Sequence, residues 1–268
     1  MTKWQNKVVL VTGGATGLGR AIAEAFAAAG AQVVIASRAA EKLTAAANKM
    51  SRGGQDVVAI PADVTRQTDV DRLFDQVIAQ CGRLDVLVNN AGKSSRGRAI
   101  ETTPEQFLEL LDLNFLSVVR CTRAAAPHLL ASHGHIVNIG SLAAKTASKF
   151  LGAYPASKFP VAAYSQQLRY ELGPDGVHVL LVCPGPIARE DAGQRYNEQS
   201  KNLPAEARQP GGGAKIKGLD PHQLAAQIIR ACERRQPELV VPGKTRLLFA
   251  ISQLWPALGD RILKRYTS

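Results

Sequence analysis

The chain has 268 residues, 46% of them hydrophobic and 21% charged, which is enough to bury a full core, and its formal net charge is +11. The positive excess is dispersed, only 5% of residues are aromatic, and no basic run is interleaved with them, so nucleic acid is not expected as a partner. The four cysteines (Cys81, Cys121, Cys183 and Cys232) form no C-x-x-C pair and follow no secretory leader, which predicts a reduced, cytoplasmic protein. His133 and His135 flank Gly134, but no third ligand lies near them in sequence, and no metal is expected.

The segment "KVVLVT" (7–12) is a short apolar run ending in glycines, and "LGRAIAEAFAAAG" follows with helical spacing up to Gly30, so the order is strand, turn, helix. Similar runs recur at "QVVIAS" (32–37), "DVVAIP" (56–61), "LDVLVNN" (84–90), "GHIVNIGS" (134–141) and "VHVLLVCPG" (177–185). Amphipathic stretches at 39–50, 66–81 and 104–130 separate them. Nearly continuous apolar strands suit a parallel sheet covered on both faces, and right-handed crossovers make it doubly wound. The expected architecture is a single α/β domain of this Rossmann type over 1–243, with ligands at the carboxyl ends of the strands. The stretch 188–218 is polar, contains Gly211-Gly212-Gly213, and reads as a mobile loop or lid. Helix and strand resume over 221–241.

"TGGATGLG" (12–19) stands between the first strand and the first helix. Gly13 permits a tight turn, Gly17 lets backbone approach a pyrophosphate, and the helix N-terminus offers positive potential, so dinucleotide binding is expected. A carboxylate ending the second strand would hold a ribose 2′-hydroxyl and repel a 2′-phosphate. Ser37 and Arg38 occupy that place, and a hydroxyl beside a guanidinium suits phosphate, so NADP(H) is preferred over NAD(H).

The sequence resembles the short-chain dehydrogenase/reductase family over about residues 5–190. The matching motifs, in order, are "TGGATGLG", "ADV" (62–64), "NNAG" (89–92), Asn114 in "LDLNF", Ser141 in "IGS", "YPASK" (154–158) and "PGPI" (184–187). The resemblance implies an oxidoreductase that transfers hydride between the coenzyme and a carbonyl or alcohol, with a catalytic set of Asn114, Ser141, Tyr154 and Lys158. Tyr154 would be the general acid/base, Ser141 would hold the substrate oxygen, Lys158 would contact the nicotinamide ribose, and Asn114 would support a water linking Lys158 to solvent. Tyr154 and Lys158 share a helix face, and a neighbouring ammonium, together with the positive ring of an oxidised nicotinamide, would lower a phenol's pKa of about 10. The implied coenzyme contacts are Gly13, Thr16, Gly17, Leu18 and Gly19 of the loop, Ser37, Arg38, Asp63, Val64, Asn90, Ala91, Gly92, Pro184, Gly185 and Ile187, with Tyr154 and Lys158 shared. Two departures stand out: Arg189 occupies a position where many relatives have threonine, and Thr16 one where NADP-preferring relatives often carry arginine.

Substrate specificity would be set by 93–99, 142–153 and the 188–218 loop. Leu142, Phe150 and Leu151 suggest an apolar wall and hence an alcohol or ketone of moderate hydrophobicity. In the extension 244–268, Leu247, Ile251, Leu254, Trp255, Leu258 and Ile262 fall at helical spacings, Pro256 marks a kink or a second start, and the segment is too polar to span a bilayer. It packs on a neighbouring subunit or over the active site, or else rests on an anionic membrane surface. Relatives commonly form homodimers or homotetramers through helices such as those in 104–130 and 154–172. A catalytically silent nucleotide sensor or scaffold is the alternative, against which the intact quartet argues.

Overall fold

Seven parallel strands build one sheet in the computed structural model, which describes residues 3–189, 196–209, 211, 213 and 217–266. They are β1 (Val8–Thr12), β2 (Gln32–Ser37), β3 (Val57–Pro61), β4 (Val86–Asn89), β5 (His135–Ile139), β6 (His178–Pro184) and β7 (Glu238–Val241), paired in the order β3-β2-β1-β4-β5-β6-β7. Each apolar run expected to be a strand is one: β2 spans its whole run, and the others lose a residue or two at an end where turn residues take over.

Alternation along the strands feeds two cores. Val9 and Val11 of β1 point to one face with Val33, Ile35, Val86 and Val88, under α1 (Gly17–Ala28), α2 (Ala40–Ser51) and α7 (Pro221–Glu233). Val8 and Leu10 point to the other with Val34, Leu87 and Ile136, under α3 (Gln67–Cys81), α5 (Ser117–Ser132) and α6 (Tyr154–Leu172). Helices on both faces of a parallel sheet are the doubly wound architecture expected from the sequence. The order reverses between β1 and β4, which opens a crevice at the carboxyl ends of those two strands.

The amphipathic stretch 104–130 is not one helix. α4 (Pro104–Leu111) starts at a reciprocal cap between Thr103 and Gln106, then the backbone widens into a π turn at Asp112–Leu116 before α5 begins. Such a bulge re-aims the side chains within it, and here it turns Asn114 wholly inward, at 0% exposure.

Part of the 188–218 segment, at 190–195, 210, 212 and 214–216, lies outside the described residues. Of the remainder, Ala205–Arg208 is a single 3-10 turn with Ala207 buried, and Ile187 bridges to Leu219. The C-terminal extension forms α8 (Thr245–Leu254) and α9 (Pro256–Tyr266), the second starting at Pro256. Phe249 anchors α8 against Val161, Leu181 and Val240.

Candidate active site

The crevice begins where β1 turns into α1. Gly13 has a φ of +65°, and a Cβ on it would lie 2.9 Å from Asn90 Nδ2. On Gly19 a Cβ would lie 2.3 Å from the Gly13 carbonyl oxygen and 2.4 Å from Asn90 Nδ2, so this packing admits glycine alone. Asn90 Nδ2 donates to the Thr12 carbonyl at 2.9 Å, and Thr12 Oγ1 accepts from the backbone N–H groups of Asn90 and Ala91 at 3.0 and 3.1 Å. β1 and β4 are thereby stitched together at the point of reversal. No side chain caps the N-terminus of α1 and no acidic residue stands in its first turn. Its orphan N–H groups and dipole therefore face the crevice ready for an anion. Arg189 adds a permanent cation there, with Nη2 2.8 Å from where a Cβ on Gly17 would be.

At the end of β2, Ser37 Oγ is buried without a hydrogen-bond partner. Beside it the Arg38 side chain is 67% exposed and approaches Asp63 Oδ2 at 3.9 Å. Burial opposes ionisation of Asp63, but hydrogen bonds from the Thr65 side chain and backbone, with Arg38 and Arg66 nearby, hold its carboxyl below the usual range. A buried hydroxyl lacking a partner and a forked cation with room to move fit a phosphate, and the open helix end with its glycine cradle fits a pyrophosphate. The residues present thus suit a nicotinamide dinucleotide.

The four expected catalytic residues converge beyond the loop. Ser141 follows β5, and its Oγ accepts from the Ala143 N–H at 3.1 Å. Ser141 is also the hydrogen-bonding neighbour of the Tyr154 phenol. One turn along α6, Lys158 is 5% exposed and its Nζ donates to the Ile139 carbonyl at 2.8 Å. Burial lowers its pKa from 10.5 to about 8. Asn114 accepts from Lys93 N at 2.9 Å and donates from Nδ2 to Lys93 O and Ser157 Oγ, both at 2.8 Å, while Ser157 donates to the Tyr154 carbonyl. It thus ties the exit of β4 to the first turn of α6. A Cβ on Gly92 would meet Asn114 Oδ1 at 2.7 Å and Lys158 Nζ at 3.7 Å, so the missing side chain leaves these two groups facing each other.

Burial raises the Tyr154 pKa, against the lowering influence of the Ser141 hydrogen bond and of the Arg96 guanidinium.

A cavity of about 910 Å³ joins these parts. Gly13, Thr16, Leu18, Gly19, Asn90, Ala91, Gly92, Ser141, Tyr154, Lys158, Pro184, Gly185 and Ile187 all line it. Ser37, Arg38, Asp63 and Val64 lie outside it at the ends of β2 and β3, Gly17 is set back in its loop, and Asn114 acts from behind the wall. Leu247, Leu248 and Ile251 of α8 and Ile262 and Leu263 of α9 wall the cavity, in line with one of the placements open for the C-terminal extension. Arg96 enters the cavity from 93–99, a segment expected to set specificity, although nothing in the sequence singled out that arginine.

At the opposite end of the sheet His135, His178 and Cys232 hold their ligand atoms within 4.8 Å of one another, a grouping that sequence separation concealed. His178 Nε2 contacts the Gln236 carbonyl at 2.8 Å and its Nδ1 meets His135 Nδ1 at 2.9 Å, so the two imidazoles satisfy each other as a cross-strand pair. Burial, with His178, Arg235 and Lys7 nearby, holds His135 down at about 3.

The family model for short chain dehydrogenases matches residues 7–201, and the chain belongs to that family of nicotinamide-dependent oxidoreductases. It is 34% identical to an L-fucose dehydrogenase of Mus musculus over 97% of this chain and 96% of that one. It is 30% identical to a ketoacyl reductase of a Nostoc species, over 98% of this chain and 90% of that one. Among solved structures, a short-chain dehydrogenase from Streptomyces avermitilis superimposes with a TM-score of 0.82 at 32% identity, covering 100% of both chains.

Proposed function

We propose that the protein is an NADP(H)-dependent oxidoreductase that interconverts a carbonyl and an alcohol, with Tyr154 as general acid and base. The observation that carries this reading is that Ser141, Tyr154 and Lys158 line the same cavity as the glycine loop. A nicotinamide coenzyme, when bound, supplies or accepts the hydride.

Holding the coenzyme falls to the Gly13–Gly19 loop, the N-terminus of α1 and Arg189 at the pyrophosphate, with Ser37 and Arg38 at a 2′-phosphate. The partnerless Ser37 hydroxyl is what supports NADP(H) over NAD(H). In the reducing direction Tyr154, whose pKa lies above the ordinary 10, is protonated at neutral pH and donates from its hydroxyl to the substrate oxygen. Ser141 donates a second hydrogen bond to that oxygen as negative charge builds on it. Lys158, with a pKa of about 8, is mostly charged at neutral pH and titrates within reach of it, which suits an amine that both orients the coenzyme ribose and passes protons. Asn114 fixes the spacing of these groups through Lys93 and Ser157. In the oxidising direction the phenol must release its proton first, and the nearby Arg96 guanidinium favours that state.

No helix among the described residues is long and apolar enough to cross a membrane. Exposed Leu108, Leu116, Phe159 and Tyr170 on α4 to α6 support assembly as a homodimer or homotetramer through those helices.

The test is a panel of carbonyls and alcohols followed by nicotinamide absorbance with NADP(H) and NAD(H) in parallel. The reading expects turnover of at least one class and a lower KM for NADP(H). Tight coenzyme binding with no turnover across the panel would favour a silent sensor instead.

A further inference from the structure

The walls of the cavity are one-sided in charge. Lys93, Arg96, Arg208, Lys217 and Lys244 line it in addition to Lys158 and Arg189, and among the described residues no aspartate or glutamate does. Arg189 lies against the glycine loop and Lys158 is engaged by the Ile139 carbonyl, so a bound coenzyme accounts for these two. Lys93 is paired with Glu109, which leaves four. Arg208, Lys217 and Lys244 are exposed at the walls, and none forms an ion pair with a described acidic residue.

Arg96 differs in being 7% exposed. Its Nε donates to the Ala207 carbonyl at 2.6 Å, Nη1 donates to Ser94 Oγ at 3.2 Å and to the Ser95 carbonyl at 2.8 Å, and Nη2 donates to the Gln209 carbonyl at 3.1 Å. The guanidinium also stacks 3.9 Å from the ring centroid of Tyr196. Every one of these partners is neutral. A guanidinium has five N–H donors, and these bonds use four. A buried arginine ordinarily faces a carboxylate, because an uncompensated charge out of water is unfavourable. Here the compensating charge is missing from the described protein, while the remaining donor belongs to a side chain that lines the cavity near Tyr154. Hydroxyl-bearing residues such as Thr146, Ser148 and Thr245 share the rest of the wall with an apolar part made by Leu151 from the segment before α6, Leu248 and Ile251 from α8 and Ile262 from α9.

We infer that the substrate is an amphipathic organic anion: a carbonyl or alcohol on an apolar body that also bears a carboxylate or phosphate group, received by Arg96 and the basic residues around it. This rests on the oxidoreductase reading of the same cavity. It narrows the alcohol or ketone of moderate hydrophobicity expected from the sequence, because the cationic "KSSRGRA" run places one of its arginines inside the wall without an acid beside it.

The test measures binding of octanoate, octyl phosphate and methyl octanoate by calorimetry, with and without saturating NADPH. At least one anion should bind about tenfold or more tightly than the neutral ester, with the advantage shrinking as salt rises. Comparison of the two anions decides between carboxylate and phosphate. Exchanging the exposed pair, Arg208→Gln with Lys244→Gln, should weaken the anion and leave the ester unchanged. Arg96→Lys should retain part of the preference and Arg96→Met should lose more of it. The exposed pair keeps the test decisive if Arg96→Met fails to fold. An ester that binds as tightly as both anions overturns the inference, as does failure of all three probes to bind protein that binds NADPH. The two readings fail separately: anion preference without any coenzyme binding removes the oxidoreductase, whereas turnover of neutral ketones without anion preference removes only the anionic substrate.

Discussion

Replacing Lys158 with methionine removes a buried charge while keeping most of the side-chain volume. Lys158 is 5% exposed, and burial brings the pKa of its amine from 10.5 to about 8 in the folded chain. Between those two values the unfolded chain binds more protons than the folded one, so this group makes stability rise with pH across that window. The penalty on the folded state is fully present below pH 8 and gone above about 10.5. A gap of somewhat over two units, at about 1.4 kcal/mol each, amounts to about 3 kcal/mol. Methionine escapes that penalty but leaves the Ile139 carbonyl without its donor, which costs about 1 kcal/mol. The coenzyme-free variant should therefore be about 2 kcal/mol more stable than wild type at pH 7. Its advantage should shrink through pH 9 and reverse at about pH 10. Urea unfolding of both proteins at matched pH gives the difference directly, and titrations common to both cancel. A difference that stays flat from pH 7 to 10.5, or a variant less stable than wild type at pH 7, would refute the claim that Lys158 carries a buried, depressed titration.

Arg38→Ala should weaken NADP(H) binding by about tenfold or more and change NAD(H) binding less than twofold, as read by coenzyme fluorescence. Equal losses for both coenzymes would point to a structural role. Asp85→Asn tests the amino end of the sheet. Burial disfavours its carboxylate, yet hydrogen bonds from Arg83, the Val8 N–H and Lys7 leave its pKa below normal. Its stabilisation is therefore present above the unfolded value near 3.9 and is lost as pH falls through the lower folded value. The variant should lose about 2 kcal/mol at pH 7 and little relative to wild type near pH 2, measured by denaturant unfolding.

The sheet was legible because strands buried on both faces must be apolar throughout, and "KVVLVT" or "VHVLLVCPG" leaves little else to be. The position of the crevice followed from topology, since parallel strands bring residues as distant as Gly13, Ser141 and Tyr154 to one edge. What stayed hidden was whatever depends on side-chain packing across the fold. The π turn that aims Asn114 inward breaks a helical pattern without a glycine or proline to mark it. His135, His178 and Cys232 meet because their elements are neighbours in space. Arg96 lay within the 93–99 segment expected to set specificity, but its burial depends on the packing of 196–209 against it, which no local pattern announces. The basic, apolar helices at the C-terminus could not be assigned a neighbour from periodicity alone, which reports that a face is apolar but not what covers it.

The account depends most on the Tyr154 hydroxyl, and Tyr154→Phe removes that group alone. Turnover and coenzyme affinity should be measured side by side on the first substrate the panel yields. Loss of turnover by about a hundredfold or more, with the NADPH dissociation constant nearly unchanged, is the result predicted. Turnover close to that of the wild type in a correctly folded variant would contradict it.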